Sequence, residues 1–214
     1  LLTRGFSNVA ILGLWRWIFQ LVIVIGKMSD QRRWKILKSS TIYRDHWIMH
    51  SQEHVRLPNG HEIQGYNIVG QNDFCTMIAI TKTGQVPLVR QYKHGALDVI
   101  LEFPAGLVDD GETVLEAASR ELREETGYAG SVELAGLLLT NPTRNRNFGH
   151  VVVFTDAERV SDPSMEITED IEVVLTPIEK IGALIMSGEL RDVGSLAAFA
   201  WARATLPNLG WDGS

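Results

Sequence analysis

The chain has 214 residues, a formal net charge of −6 and a single cysteine. That length suits one sizeable domain with small additions, and 45% hydrophobic with 21% charged residues is the balance of a globular chain rather than a disordered or fibrous one. The negative charge argues against a general nucleic-acid binder, whose phosphate contacts call for a basic surface. One cysteine rules out an intramolecular disulfide framework, in keeping with a reducing compartment.

Residues 9–26 read VAILGLWRWIFQLVIVIG, long enough to cross a bilayer. Arg16 near the middle would cost about 2.5–3.5 kcal/mol on insertion, and Gln20 adds to that. No small-residue cleavage site follows, which argues against a cleaved secretory signal. The segment reads as a membrane anchor, as the end of a targeting region, or as upstream sequence joined to a domain that starts at Met28. The third reading is the working expectation. It divides the chain into an apolar segment, 1–27, and a cytoplasmic domain, 28–214, with membrane contact only if residues 9–26 are native.

Residues 34–54, rich in Ile, Tyr and Trp, read as strand and turn. That reading sets aside the evenly spaced His46, His50 and His54 as a helical metal site. Leu57-Pro-Asn-Gly60 marks a turn. Strands are predicted over 62–69 and 74–81, with Cys75 a buried thiol, then over 86–92 and 99–103. A helix is predicted from Thr113, which forms a capping box with Glu116, to a stop at Gly127. Leu115, Ala118 and Leu122 give it an apolar stripe. Strands over 131–140, 150–155 and 171–175 follow, and helices over 178–186 and 195–205. Strands on both sides of a central helix, with helices at the end, imply an α/β sandwich of mixed sheet and flanking helices.

The chemistry concentrates on the central helix. Glu121, Glu124 and Glu125 stand at i, i+3 and i+4 and share one face. Carboxylates this close repel unless a positive charge sits among them, and hard oxygen ligands suit Mg²⁺, with Mn²⁺ as an alternative. Arg120 reaches Glu116 or Glu124 one turn away. The plainer reading, a solvated acidic face, leaves Gly106 and Glu112 unexplained.

Residues 106–128 resemble the Nudix hydrolase box, G-x5-E-x7-R-E-U-x-E-E-x-G-U, with U a bulky aliphatic. Gly106, Glu112, Arg120, Glu121, Leu122, Glu124, Glu125 and Gly127 all fall in place, and only Tyr128 departs, in a packing position. The resemblance runs from about Trp34 onward. It implies a Nudix-type α-β-α sandwich and metal-dependent attack of water on a pyrophosphate. It also implies a metal held by Glu121, Glu125, the Ala105 carbonyl and a sharing Glu124, with Glu112 in support and Arg120 orienting the acids.

Flanking segments narrow the substrate. LEFPAG at 101–106, VRQYK at 89–93 and Pro142 resemble the ADP-ribose pyrophosphatase branch, with Phe103 and Lys93 replacing Leu and Arg. That branch implies a small nucleoside diphosphate sugar as substrate, ADP-ribose or a related ADP-sugar cleaved to AMP and a sugar phosphate. GDP-mannose and a non-catalytic ADP-ribose sensor are the alternatives. It also implies a homodimer, no nucleic-acid partner, and a general base from an acidic loop, for which Glu169 is preferred over Glu166. Arg90 and Glu102 are expected to line the pocket, Arg90 being otherwise an exposed strand arginine. Trp47 and Tyr43 are the candidates to stack on adenine, with core or strand packing the more common role for either one alone. Arg144 and Arg146, in a loop that departs from the branch pattern, are expected either to clamp phosphate or to be solvated.

Overall fold

The computed structural model describes residues 31–165, 170–207 and 211. The chain forms two compact units, Leu1–Thr41 with Ser51–Asn67 and Ile42–His50 with Ile68–Ser214. The first carries most of three strands, β1 (Lys35–Arg44), β2 (Met49–Arg56) and β3 (Glu62–Gly70), hydrogen-bonded in that order. The turn read from Pro58-Asn59-Gly60 is present: Gly60 takes φ +85° and its N–H donates to the Leu57 carbonyl at 3.0 Å. His54 pairs with Glu62 at 2.7 Å.

The second unit is built on a four-stranded sheet ordered β7 (Ala105–Leu107), β4 (Phe74–Thr81), β9 (Phe148–Arg159), β8 (Tyr128–Leu139). β4 and β9 run parallel and the outer pairs antiparallel, so the sheet is mixed. Strand alternation gives β4 and β9 two apolar faces. Cys75, Met77, Ala79, Val152 and Phe154 turn to one side and pack on Ala117, Ala118 and Leu122 of helix α1 (Val114–Thr126). Ile78, Ile80, Val151 and Val153 turn to the other. There they meet Ala198, Phe199 and Ala202 of helix α3 (Val193–Thr205) and Val86, Leu88 and Leu101 from a second sheet. That sheet is ordered β10 (Ile171–Pro177), β5 (Gln85–Lys93), β6 (Asp98–Glu102), all antiparallel. Between β10 and α3 lie a 3-10 turn, Ile178–Lys180, and helix α2 (Ile181–Ser187). Layers of helix, sheet and helix make the expected α/β sandwich.

The short β7 is not among the predicted strands; it pairs Ala105 to Leu107 with Thr76 to Phe74. β9 runs past Thr155 because Asp156 adopts φ +52° in a bulge, after which pairing with β8 resumes at Glu158. Among the described residues no helix is long and apolar enough to cross a membrane; the 9–26 segment lies outside the described residues.

Candidate active site

Helix α1 starts and stops where local chemistry dictates. Thr113 accepts from Glu116 N at 3.3 Å, and the Glu116 carboxylate accepts from Thr113 N at 2.9 Å, a complete capping box. Gly127 ends the helix at φ +76° in the left-handed conformation, where a side chain would be strained. Burial of Ala117, Ala118 and Leu122 fixes the rotation of the helix, which presents Arg120, Glu121, Glu124 and Glu125 along one edge.

Arg120 organises that edge. Its Nε and Nη2 each donate to the Glu112 carboxylate at 2.9 Å, a two-pronged pairing that closes the loop before the helix. Its Nη1 donates to Glu121 at 2.9 Å and to Glu124 at 3.2 Å, and Nη2 also reaches the Leu107 carbonyl at 3.3 Å. The Glu112 pairing, opposed by partial burial and reinforced by Glu121, holds the guanidinium charge more firmly than usual. The same bonds from Arg120 hold Glu112 below the ordinary carboxylate range. Of the two expected partners of Arg120, Glu124 is engaged. Glu116 is not, because the capping box already occupies its carboxylate.

Glu125 stands apart from this pairing. It is 3% exposed, and its Oε2 accepts from the backbone N–H of Ala105 at 3.2 Å. Burial, then the neighbouring Glu121 charge, pushes its carboxyl up to about 8, and Lys93 opposes the shift. Gly106 passes directly beneath Glu121: a Cβ there would overlap the Glu121 carboxyl group. The Gly106 carbonyl accepts from the Cys75 thiol at 3.6 Å, and burial pushes that thiol up to about 12. Cys75 is thus an inert packing residue beside β7.

A second group of side chains comes from β5 and β6. Glu102, 6% exposed, accepts from Lys93 Nζ at 3.0 Å and from Gln91 Nε2 at 2.9 Å. Burial raises its carboxyl and Lys93 opposes the rise. The segment after it is fixed from both sides, by Phe103 N donating to Ser195 Oγ at 2.9 Å and Met77 N to the Pro104 carbonyl at 2.8 Å.

Other expected residues fall elsewhere. Arg90 is not brought to the acids. Strand alternation turns it to the other face of β5 from Gln91 and Lys93, where it pairs with Glu172 at 2.9 Å and Glu189 at 3.1 Å. Lys93 is the β5 cation that acts on Glu125. Trp47, 66% exposed, lines a cavity of about 440 Å³ that also borders Leu107. Arg144 and Arg146 are exposed and do not line it; Asn145 and Asn147 of the same loop do. Tyr43 is also exposed, with its hydroxyl on Asp45 at 2.7 Å. Glu166 and Glu169 lie outside the described residues. The chain on either side of them is anchored near the site. Ser164 N donates to the Glu124 carbonyl at 2.9 Å, and Ile171 pairs with Gln91.

As the side chains stand, Arg120 holds three of the acids and the Ala105 N–H holds the fourth. Among the described residues no group of three or more His, Cys, Asp or Glu side chains converges closely enough to grip a metal ion. The donor set nevertheless fits a hard divalent cation. It is all oxygen, and Glu125 needs a positive neighbour to ionise at neutral pH. Gly106, in strand β7, gives Glu121 room beside the backbone of Ala105 and Gly106.

A sequence model of the NUDIX domain matches residues 72–196. The chain is 30% identical over 152 residues to an ADP-ribose pyrophosphatase of Bacillus subtilis, across 70% of this chain and 81% of that protein. An ADP-ribose pyrophosphatase of Mycobacterium tuberculosis is 29% identical over 164 residues, across 75% of this chain and 78% of its own. The crystal structure of an ADP compounds hydrolase superposes with a TM-score of 0.74 at 23% identity, covering 86% of this chain and 100% of that one. At that identity the structural match speaks for the fold.

Proposed function

The chain belongs to the Nudix hydrolase family, and on that premise we propose that it hydrolyses the pyrophosphate bond of ADP-ribose or a related ADP-sugar, giving AMP and a sugar phosphate. The observation that carries this reading is the pair Glu121 and Glu125, set against Ala105 and Gly106 of β7 with Lys93 and Glu102 beside them. Glu121, Glu125 and Glu102 offer oxygen ligands and Lys93 a positive charge, the chemistry a pyrophosphate and its counter-ion need. All the acids of the box are present, which favours hydrolysis over mere sensing.

Glu121, Glu125 and the Ala105 carbonyl would hold the cation, with Glu124 sharing it. Held there, Mg²⁺ or Mn²⁺ would supply neutralisation of the charge that builds on the phosphoryl oxygens. Arg120, anchored to Glu112, keeps Glu121 and Glu124 in position. Lys93 offers a point charge to a phosphoryl oxygen without the fork of an arginine, and Glu102 holds its ammonium group. Glu169, with Glu166 as the second candidate, takes the proton from the attacking water; the anchoring of Ser164 and Ile171 supports this assignment. Trp47 offers an aromatic face to one end of the substrate. We read the enzyme as residues 28–214, preceded by the apolar 1–27. It is cytoplasmic unless residues 9–26 anchor it, and a homodimer, in keeping with the exposed Trp34, Ile36 and Ile42 around β1.

A hydrolysis screen of nucleotide sugars with Mg²⁺ tests the substrate. ADP-ribose is expected to turn over well above GDP-mannose and NADH; a flat profile, or a preference for GDP-mannose, overturns the assignment. The base is tested separately. Glu169→Gln is expected to lower kcat by at least about 100-fold, and a near-wild-type rate removes Glu169 from that role.

A further inference from the structure

The cavity beside Leu107 has a lining chemistry that bears on what the substrate carries. Its walls are apolar, with Trp47, Phe74 and Leu107 among them, and its polar groups come from amide side chains and the hydroxyl of Thr140. Among the described residues no charged side chain lines it. A volume of about 440 Å³ is in the range of small-ligand pockets.

The amides are held but not used up. Asn147, 7% exposed, donates to the Asn72 carbonyl at 3.4 Å and accepts from Thr140 Oγ1 at 3.3 Å. Asn145 donates to Gln71 Oε1 at 3.4 Å. An amide carries two donors and two acceptor lone pairs, so each keeps capacity for a ligand. The loop's backbone is fixed by Val69, whose N–H donates to the Arg144 carbonyl at 2.8 Å and whose carbonyl accepts from Arg146 N at 3.3 Å. That register leaves the two asparagines on the cavity and the two arginines off it.

We propose that this cavity is the specificity pocket for an uncharged ribosyl half of the substrate, with Asn145, Asn147 and Thr140 as its specificity-determining residues. The inference rests on the ADP-sugar reading above. A sugar hydroxyl both donates and accepts, which matches amides and a hydroxyl. A phosphate moved into the same cavity loses its hydration and meets no cation. The pocket therefore accepts a plain ribosyl group and rejects a phosphorylated one. The ribose of the adenosine half and the terminal ribose share this chemistry.

Three compounds separate the two: ADP-ribose, ADP-ribose phosphorylated on the adenosine ribose, and ADP-ribose phosphorylated on the terminal ribose. For the wild-type protein kcat/KM is expected to fall by at least about 100-fold for one phosphorylated compound and by less than about tenfold for the other. The compound that fails identifies the half seated in the cavity. Asn145→Lys, at a half-buried position, supplies a cation and is expected to recover the failing compound at least about tenfold relative to ADP-ribose. Thr140→Val is expected to raise KM for ADP-ribose about three- to tenfold with kcat within about twofold, the mark of lost binding rather than lost chemistry. Rates within about threefold for all three compounds overturn the proposal, as does equal loss for both phosphorylated ones. It is likewise overturned if Asn145→Lys, with an unchanged melting temperature, leaves the ratio where it was. In each of those cases turnover of ADP-ribose leaves the substrate reading standing. Hydrolysis of other nucleoside diphosphates with no turnover of any ADP-sugar sinks the substrate reading, and the proposal falls with it.

Discussion

Glu125 is the residue at which stability and function pull apart. A carboxyl shifted from 4.5 in the unfolded chain to about 8 in the fold binds its proton more tightly when folded. The folded state therefore holds more protons than the unfolded state between those values, and stability falls as pH rises through that window. Glu125→Gln removes the titration. In chelator, the variant is expected to melt above wild type near pH 8 and to approach it near pH 5, because above about 4.5 the unfolded wild-type chain gains stability by ionising a carboxyl that the fold keeps protonated up to about 8. Equal melting curves at both pH values would show that Glu125 is not strained by burial. Lys93 makes the complementary case. It is 39% exposed on the side chain, paired to Glu102 and close enough to act on Glu125. Lys93→Ala is expected to raise KM for the nucleotide substrate by about tenfold or more, at a cost in kcat no larger than that. An unchanged KM would detach Lys93 from the phosphates.

At the scale of elements, the site depends on a close approach between a helix and a short strand. β7 carries Ala105 and Gly106 past α1, and only a glycine leaves space for the Glu121 carboxyl group. Gly106→Ala is expected to lower kcat by at least about 100-fold while the helix cap and core contacts persist, so that circular dichroism stays near wild type. Wild-type turnover would mean that Glu121 can leave β7 without consequence. The helix itself was legible in the sequence, because its start, stop and apolar stripe are local signals at Thr113, Gly127 and Leu122. So were the long strands, whose alternation survives in the two faces of β4 and β9. What escaped was the facing of charged residues in extended segments. Arg90 sits one residue from Gln91, and a single step along a strand exchanges one face for the other. In the 140–147 loop the charge of the arginines leaves clamping and solvation both open, and the pairing of Val69 with that loop decides which residues meet the cavity. Those contacts join residues more than 70 positions apart and leave no local signature. The fork of Arg120 on Glu112 was missed for a related reason: Glu116, the nearer acid, is already committed to the cap.

At the scale of the molecule, the helix–sheet–helix sandwich holds the parts of one site on different elements. Core packing on both faces of the four-stranded sheet sets α1 on one side and α3 on the other. α1 brings the acids, β7 the backbone of Ala105 and Gly106, and β5 with β6 the Lys93–Glu102 pair. α3 ties this assembly together through Ser195, which is buried and holds Phe103 N. The arrangement turns mutual repulsion among carboxylates into a standing demand for positive charge, met in part by Arg120 and Lys93. The most direct measurement is a titration of Mn²⁺ into chelator-treated protein, with free Mn²⁺ followed by electron paramagnetic resonance and ADP-ribose hydrolysis in the same samples. Saturable binding is expected, with turnover rising in step with occupancy, and Glu125→Gln is expected to lose both. Full hydrolysis in chelator, or unchanged binding and turnover in Glu125→Gln, would contradict a cation held by these acids as the centre of the chemistry.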